Sequence, residues 1–278
     1  MQHHEGTFQG AGKLNLYYQS WHPSDPCKAI ALLVHGLGAH SQSFQNMAEY
    51  LTAKGYGIYS FDLRGNGRSP GQRGHIQSWA EFREDLNAFL PMIKAQAPGI
   101  PCFLIGHSLG GVIVLDYVLR TQAQVQGVVA IAPALGVTVP PWKLLLGRIF
   151  SKILPRFSLS TGIDLSFSAH DPAVLDTYVH DPLRHSRGSA RMASEFLETV
   201  VWIQTHATDW QVPLLMLCGG ADRVTPSVAS CTFFQQIAFL DKEWREYPEE
   251  YHELHNDSNA QTVFADLEDW LERHLTSS

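Results

Sequence analysis

The chain has 278 residues, 45% of them hydrophobic and 17% charged, with a formal charge of −7. Such a composition is globular with ample material for a large core, and its acidic balance excludes nucleic acid as a general partner, since phosphate binding requires a basic surface. Four cysteines with no CxxC pair, no apolar run of bilayer length, and a start (MQHHEGTFQGAG) without the apolar segment of a signal peptide lead us to expect a cytoplasmic protein.

KLNLYYQSW (13–21) alternates apolar and polar residues, as a half-buried antiparallel strand does. AIALLVHG (29–36) is a short continuous apolar run ending in glycine, the pattern of a strand buried on both faces. GIYSFDLRG (57–65), PCFLIG (101–106), VQGVVAIA (125–132) and VPLLMLCGG (212–220) repeat it. Helical spacing fills the gaps at 43–55, 79–96 and 109–121, and a final amphipathic helix is predicted over 262–275. Buried strands alternating with helices predict a mainly parallel sheet covered on both faces, an α/β fold.

The alternation breaks between about Leu135 and Asp209, where helix-like pattern dominates and no strand-like apolar run occurs. We therefore expect a core formed by 1–134 and 210–278, with 135–209 inserted as a mostly helical cap. In PPWKLLLGRIFSKILPRF (140–157), Trp142, Leu145, Leu146, Ile149, Phe150, Ile153 and Phe157 share one helical face. Lys143, Arg148, Ser151, Lys152 and Arg156 share the other. The apolar face suits the lining of a tunnel or burial beneath the cap. The basic face leads us to expect transient contact of the cap with an anionic membrane surface, which would make the protein peripheral.

Gly106-His107-Ser108-Leu109-Gly110 matches G-x-S-x-G, and it lies between the strand-like CFLI and the helix-like VIVLDYVLR. A nucleophile elbow has that setting: a sharp turn exposes the serine at the carboxyl edge of the sheet, and flanking glycines avoid clashes. A serine needs a base, and the base an orienting acid, here in the chain order Ser, Asp or Glu, His. Asp222 follows a buried strand in LLMLCGGADRVTP; Asp209, Asp241 and Asp257 do not. EYPEEYHELHND then offers His252, favoured as the base, and His255, its alternative. H-E-L-H is not the H-E-x-x-H metal motif, so no metal is expected, and a Ser-His-Asp mechanism needs no cofactor. Developing charge on the attacked carbonyl requires backbone donors. The amide of Leu109, just after the serine, and that of Leu37, in the HGLG turn (35–38), are the candidates for this oxyanion hole.

HGLGAHSQSF (35–44), FDLRGNGRSPGQRG (61–74), GHSLGG (106–111), ADRVTP (221–226) and YHELHND (251–257) together resemble the monoacylglycerol lipase branch of the α/β-hydrolases, also called serine aminopeptidase-like hydrolases. DPLRHSRGSARMASEFL (181–197) resembles that branch's return from cap to core. The resemblance implies an α/β-hydrolase fold and a serine carboxylesterase that splits monoacylglycerol into fatty acid and glycerol. It also implies Ser108, Asp222 and His252 as the triad, Leu37 and Leu109 as the oxyanion-hole amides, and His255 near the substrate head group. The chain departs from the animal lipases of this branch at Ala39 and Ser43, where they tend to carry glutamate and arginine. Hydrolysis of lysophospholipids or other small esters is the alternative activity, and a non-catalytic small-molecule binder the remote one. The partner expected is a small lipid ester; the sequence carries no signal for oligomeric state.

Overall fold

The computed structural model describes residues 1–136 and 141–275, with the side chains of 141–146 outside that description. In chain order the strands are β1 (Gln2–Gln9), β2 (Asn15–His22), β3 (Ala29–Val34), β4 (Tyr56–Phe61), β5 (Cys102–His107), β6 (Gly127–Ile131), β7 (Ser158–Ser160), β8 (Arg187–Ser189), β9 (Leu214–Gly219) and β10 (Lys242–Tyr247). The helices are α1 (Gln45–Ala53), α2 (Ala80–Gln96), α3 (Leu109–Thr121), α4 (Pro141–Ile153), α5 (Pro172–His180), α6 (Ala190–Thr205), α7 (Val228–Gln236) and α8 (Ala260–Arg273).

One eight-stranded sheet runs β1-β2-β4-β3-β5-β6-β9-β10. The first two strands join antiparallel, and every pairing from β4 onward is parallel. The expected α/β architecture with a mainly parallel sheet is therefore the one observed. The continuous apolar runs are explained by burial on both faces. Ile30, Leu32 and Val34 of β3 enter one core with Leu104, Val128 and Met216, whereas Ala31 and Leu33 enter the other with Ile105, Val129 and Leu217. Each fully buried side chain of this size contributes about 1.5–3 kcal/mol. Helices α2 and α3 cover the first face; α1 and α8 cover the second, α8 through Val263, Phe264, Leu267, Trp270 and Leu271.

Strand β1 was not anticipated. Its sequence, QHHEGTFQ, is polar and mostly exposed, and it is held at the sheet edge by full antiparallel pairing with β2, with Phe8 its one side chain in the core. Between β6 and β9 the chain leaves the sheet, forming α4, α5, α6 and a small β7–β8 ribbon. The ribbon also went unread, because SLS and RGS have no apolar signature. Helix α6 packs back on the main core through Met192, Val200 and Ile203. In α4 the side chains of Trp142, Lys143, Leu145 and Leu146 lie outside the described residues, while Ile149, Phe150, Ile153 and the following Phe157 are exposed. Among the described residues no helix is long and apolar enough to cross a membrane.

Candidate active site

Ser108 stands between the end of β5 and the first residue of α3 with φ 54° and ψ −117°. A non-glycine residue in that region costs about 1–3 kcal/mol, so neighbours must hold it. They do so by hydrogen bonds: Ser108 N donates to Ile131 O at 2.9 Å, and its carbonyl accepts from Val112 N and Ala134 N at 3.2 Å. The flanking glycines are required by close approach. A Cβ on Gly110 would lie 1.9 Å from Val34 O, and one on Gly106 would lie 2.3 Å from Gly110 O. The backbone cannot make this turn with side chains at those positions.

Asp222 follows β9 and His252 follows β10, so adjacent parallel strands deliver both to the carboxyl edge where Ser108 sits. His252 Nδ1 lies 2.8 Å from Asp222 Oδ2. The second carboxylate oxygen, Oδ1, accepts the Val224 and Thr225 amides, each at 2.8 Å. Burial opposes the charge on Asp222, yet the bonds from His252 and Thr225 outweigh it and hold its carboxyl below the usual range. An anion fixed there keeps the Nδ1 proton of His252 toward Asp222 and leaves Nε2 as the basic nitrogen. Sequence reasoning missed Thr225, whose hydroxyl lies 2.8 Å from Asp222 Oδ2 and 3.0 Å from His252 Nδ1. Its position three residues after an aspartate in a turn was the available signal.

The turn after β3 is held from both sides. His35 donates from Nδ1 to Gly36 O and accepts the Leu63 amide on Nε2, so it is a buried structural residue. Gly38 N donates to Asn66 Oδ1 at 3.1 Å, and His185 Nε2 reaches the same oxygen at 2.8 Å. Nothing larger than glycine fits at 38, because a Cβ there would meet His185 O at 1.8 Å. Among the described residues the Leu37 amide donates to no protein acceptor. The Leu109 amide opens α3, and first-turn amides lack intrahelical acceptors. Gly36, Leu37, Ser108 and His252 line one cavity of about 350 Å³, together with Ile163, Tyr178, Val179, Asp181, Arg184 and Glu253.

His255 lies directly behind the cavity wall formed by His107 and Glu253. Its ring is 1% exposed, it is not part of the cavity lining, and it packs on Phe44 and His107 with ring centroids 4.9 and 4.7 Å away. The turn after His252 directs Glu253, not His255, into the cavity wall. His107, Glu253 and His255 bring potential ligating atoms within 4.8 Å of one another, as do His170, Glu250 and Asp257. Members of both sets are engaged internally, although His255 Nδ1 has no hydrogen-bond partner among the described residues. His107 Nε2 donates to His252 O at 3.2 Å, Tyr178 donates to Glu253 at 3.2 Å, and His170 Nδ1 pairs with Asp257 at 2.8 Å.

The family model for serine aminopeptidase, S33 (Hydrolase_4) matches residues 25–259, and the chain belongs to that family. It is 28% identical to a monoacylglycerol lipase of Mycolicibacterium smegmatis over 98% of both chains. It is 26% identical to the phospholipase YtpA of Bacillus subtilis, over 88% of this chain and 95% of that one. The crystal structure of the monoacylglycerol lipase of Paleococcus ferrophilus superimposes with a TM-score of 0.86 at 32% identity, covering 93% of this chain and 99% of that one.

Burial sets the charge state around the site. It pushes His35 to about 4, His107 to about 3 and His255 to about 4, so all three rings are neutral at neutral pH. Below an ordinary histidine value of about 6.5 the unfolded chain takes up protons that the folded chain refuses, so stability falls with pH across that window. The melting temperature should decline steadily from about pH 7 to about pH 4.5, ahead of general carboxylate protonation. A melting temperature flat over that range would contradict three buried neutral imidazoles.

Proposed function

We propose that this member of the serine aminopeptidase S33 family is a serine carboxylesterase that hydrolyses monoacylglycerol to fatty acid and glycerol. Ser108 is the nucleophile, His252 the base and Asp222 the orienting acid. One observation carries the reading: a serine on a strained, glycine-fenced turn shares a cavity with a histidine already bonded to a buried carboxylate and with an unengaged backbone amide.

The steps follow from this geometry. Ser108 Oγ attacks the ester carbonyl as its proton passes to His252 Nε2. Asp222 holds the imidazolium through Nδ1, and the Leu37 and Leu109 amides receive the oxyanion. Collapse expels the alcohol, which takes the proton from His252. Water, deprotonated by the same ring, then attacks the acyl-serine and releases the fatty acid. A lysophospholipid presents the same ester, and the similarity to phospholipase YtpA favours testing it in parallel.

Free fatty acid release should be measured from a 1-monoacylglycerol and from lysophosphatidylcholine, with wild type and Ser108→Ala. We expect the monoacylglycerol to be the faster substrate, and Ser108→Ala to lower kcat about 10⁵- to 10⁶-fold. Faster turnover of the lysophospholipid would keep the mechanism and move the substrate. Turnover that survives Ser108→Ala would refute the assignment of the nucleophile.

Residues 135–209 are read as the cap over this site, and its exposed apolar side chains give it a second task. Ile149, Phe150, Ile153, Leu154, Phe157 and Leu159 lie on the surface, and Ile163 and Val179 carry that apolar character to the cavity lining. A lipid substrate leaving a membrane would meet this face first, with Lys152 and Arg156 beside it for anionic head groups. In co-sedimentation with anionic liposomes, Ile153→Ser/Phe157→Ser should reduce the bound fraction about threefold or more. Equal binding by both proteins, or none by wild type, would remove the membrane role.

A further inference from the structure

Tyr178, Asp181 and Arg184 line both the Ser108 cavity and a second, polar cavity of about 530 Å³ beside it. They therefore form the wall between the two cavities. Arg184 comes from the DPLR run in which the insertion turns back toward the core. Its guanidinium lies 3.8 Å from the Tyr178 ring centroid, and its side chain is only 12% exposed.

The polar contacts of this guanidinium are few and long. Nη1 donates to Ser43 Oγ at 3.4 Å, and Nη2 stands 3.6 Å from Glu253 Oε1; among the described residues no other hydrogen bond or ion pair engages it. Arginine carries five N–H donors and a good N–H···O bond is about 2.9 Å long, so this fork has donors to spare where it lines the two cavities. Donors left open in a cavity wall can meet the oxygens of an occupant.

The charges nearby restrict what that occupant is. Glu253 offsets the Arg184 charge. Asp181 adds a carboxylate whose Oδ2 takes His40 Nε2 at 2.7 Å and whose Oδ1 takes the Leu183 amide at 2.8 Å. Each oxygen retains acceptor capacity for a second donor. A phosphate placed here would face two carboxylates, and a trimethylammonium group has no lone pairs for Arg184. A neutral polyol has both oxygen lone pairs and O–H donors, matching a guanidinium and a carboxylate side by side.

We propose that Arg184 is the specificity-determining residue for the alcohol part of the substrate, donating to the hydroxyl oxygens of a neutral polyol head group while Asp181 accepts from them. The assignment rests on the monoacylglycerol reading and names the residues that select its glycerol. It is tested by kcat/KM for a 1-monoacylglycerol and for the methyl ester of the same fatty acid, which has the same scissile bond and no head-group hydroxyls. In Arg184→Met the ratio of the two should fall about 10- to 100-fold, and Arg184→Lys, which keeps the charge without the fork, should restore part of it.

Removing Arg184 leaves Glu253 buried without its cation, so Arg184→Met/Glu253→Gln carries the test should the single variant fail to fold. Circular dichroism melts establish which variants are folded. A ratio within about twofold of wild type, or an equal fall on both esters, overturns the assignment, since loss of a merely structural group moves both substrates together. Wild type that cleaves the methyl ester but not the monoacylglycerol overturns the substrate reading itself, and this assignment with it.

Discussion

The arrangement depends on one steric constraint: the close approach of backbone to backbone where β5 turns into α3. Gly110 lies so near Val34 O, and Gly106 so near Gly110 O, that the turn can be made only with glycine at both positions. The result is Ser108 at φ 54°, held by its amide on Ile131 and its carbonyl on Ala134 and Val112. Val34 ends β3 and Ile131 ends β6, the strands on either side of β5, so the parallel order of the sheet centre helps to fix the serine. Because β9 and β10 continue the same parallel series, the loops beyond them deliver Asp222 and His252 to the same edge.

Polar contacts between the segment that joins β6 to β9 and the loops at the sheet edge form a second layer of organisation around this site. His185 and Asn66 fix the turn that carries the Leu37 amide. Asp257 accepts the His170 amide and ring nitrogen at the entry to α5, and Glu253 N donates to Ser168 O. Glu253 itself is buried, which works against its charge. Arg184, with Nη2 3.6 Å from Oε1, nonetheless favours its carboxylate form. The segment between β6 and β9 thus supplies part of the cavity wall, through Ile163, Tyr178, Val179, Asp181 and Arg184.

What the sequence revealed follows from how each signal is encoded. Buried parallel strands are continuous apolar runs, and Ser108 announces itself by local glycine spacing, so the sheet centre and the elbow were legible. The pairing of Asp222 with His252 could be expected because both follow strands of that sheet. Strand β1 was not legible, because an edge strand that buries one side chain, Phe8, carries no periodic apolar signal and relies on its partner's hydrogen bonds. The setting of His255 was not legible for a related reason. Three residues beyond His252, the chain has turned back against Phe44 and His107, and nothing in HELH records that direction. Arg184 was hidden because its surroundings come from segments distant in sequence, at Ser43, Tyr178 and Glu253.

The central claim is that Ser108 carries a hydroxyl activated by His252. Treatment with a fluorophosphonate, followed by mass spectrometry of the digested protein, tests it most directly. The account predicts a covalent adduct on the peptide bearing Ser108, formed far more slowly in His252→Ala and absent in Ser108→Ala. An adduct on a different serine, or none on folded wild type, would contradict it.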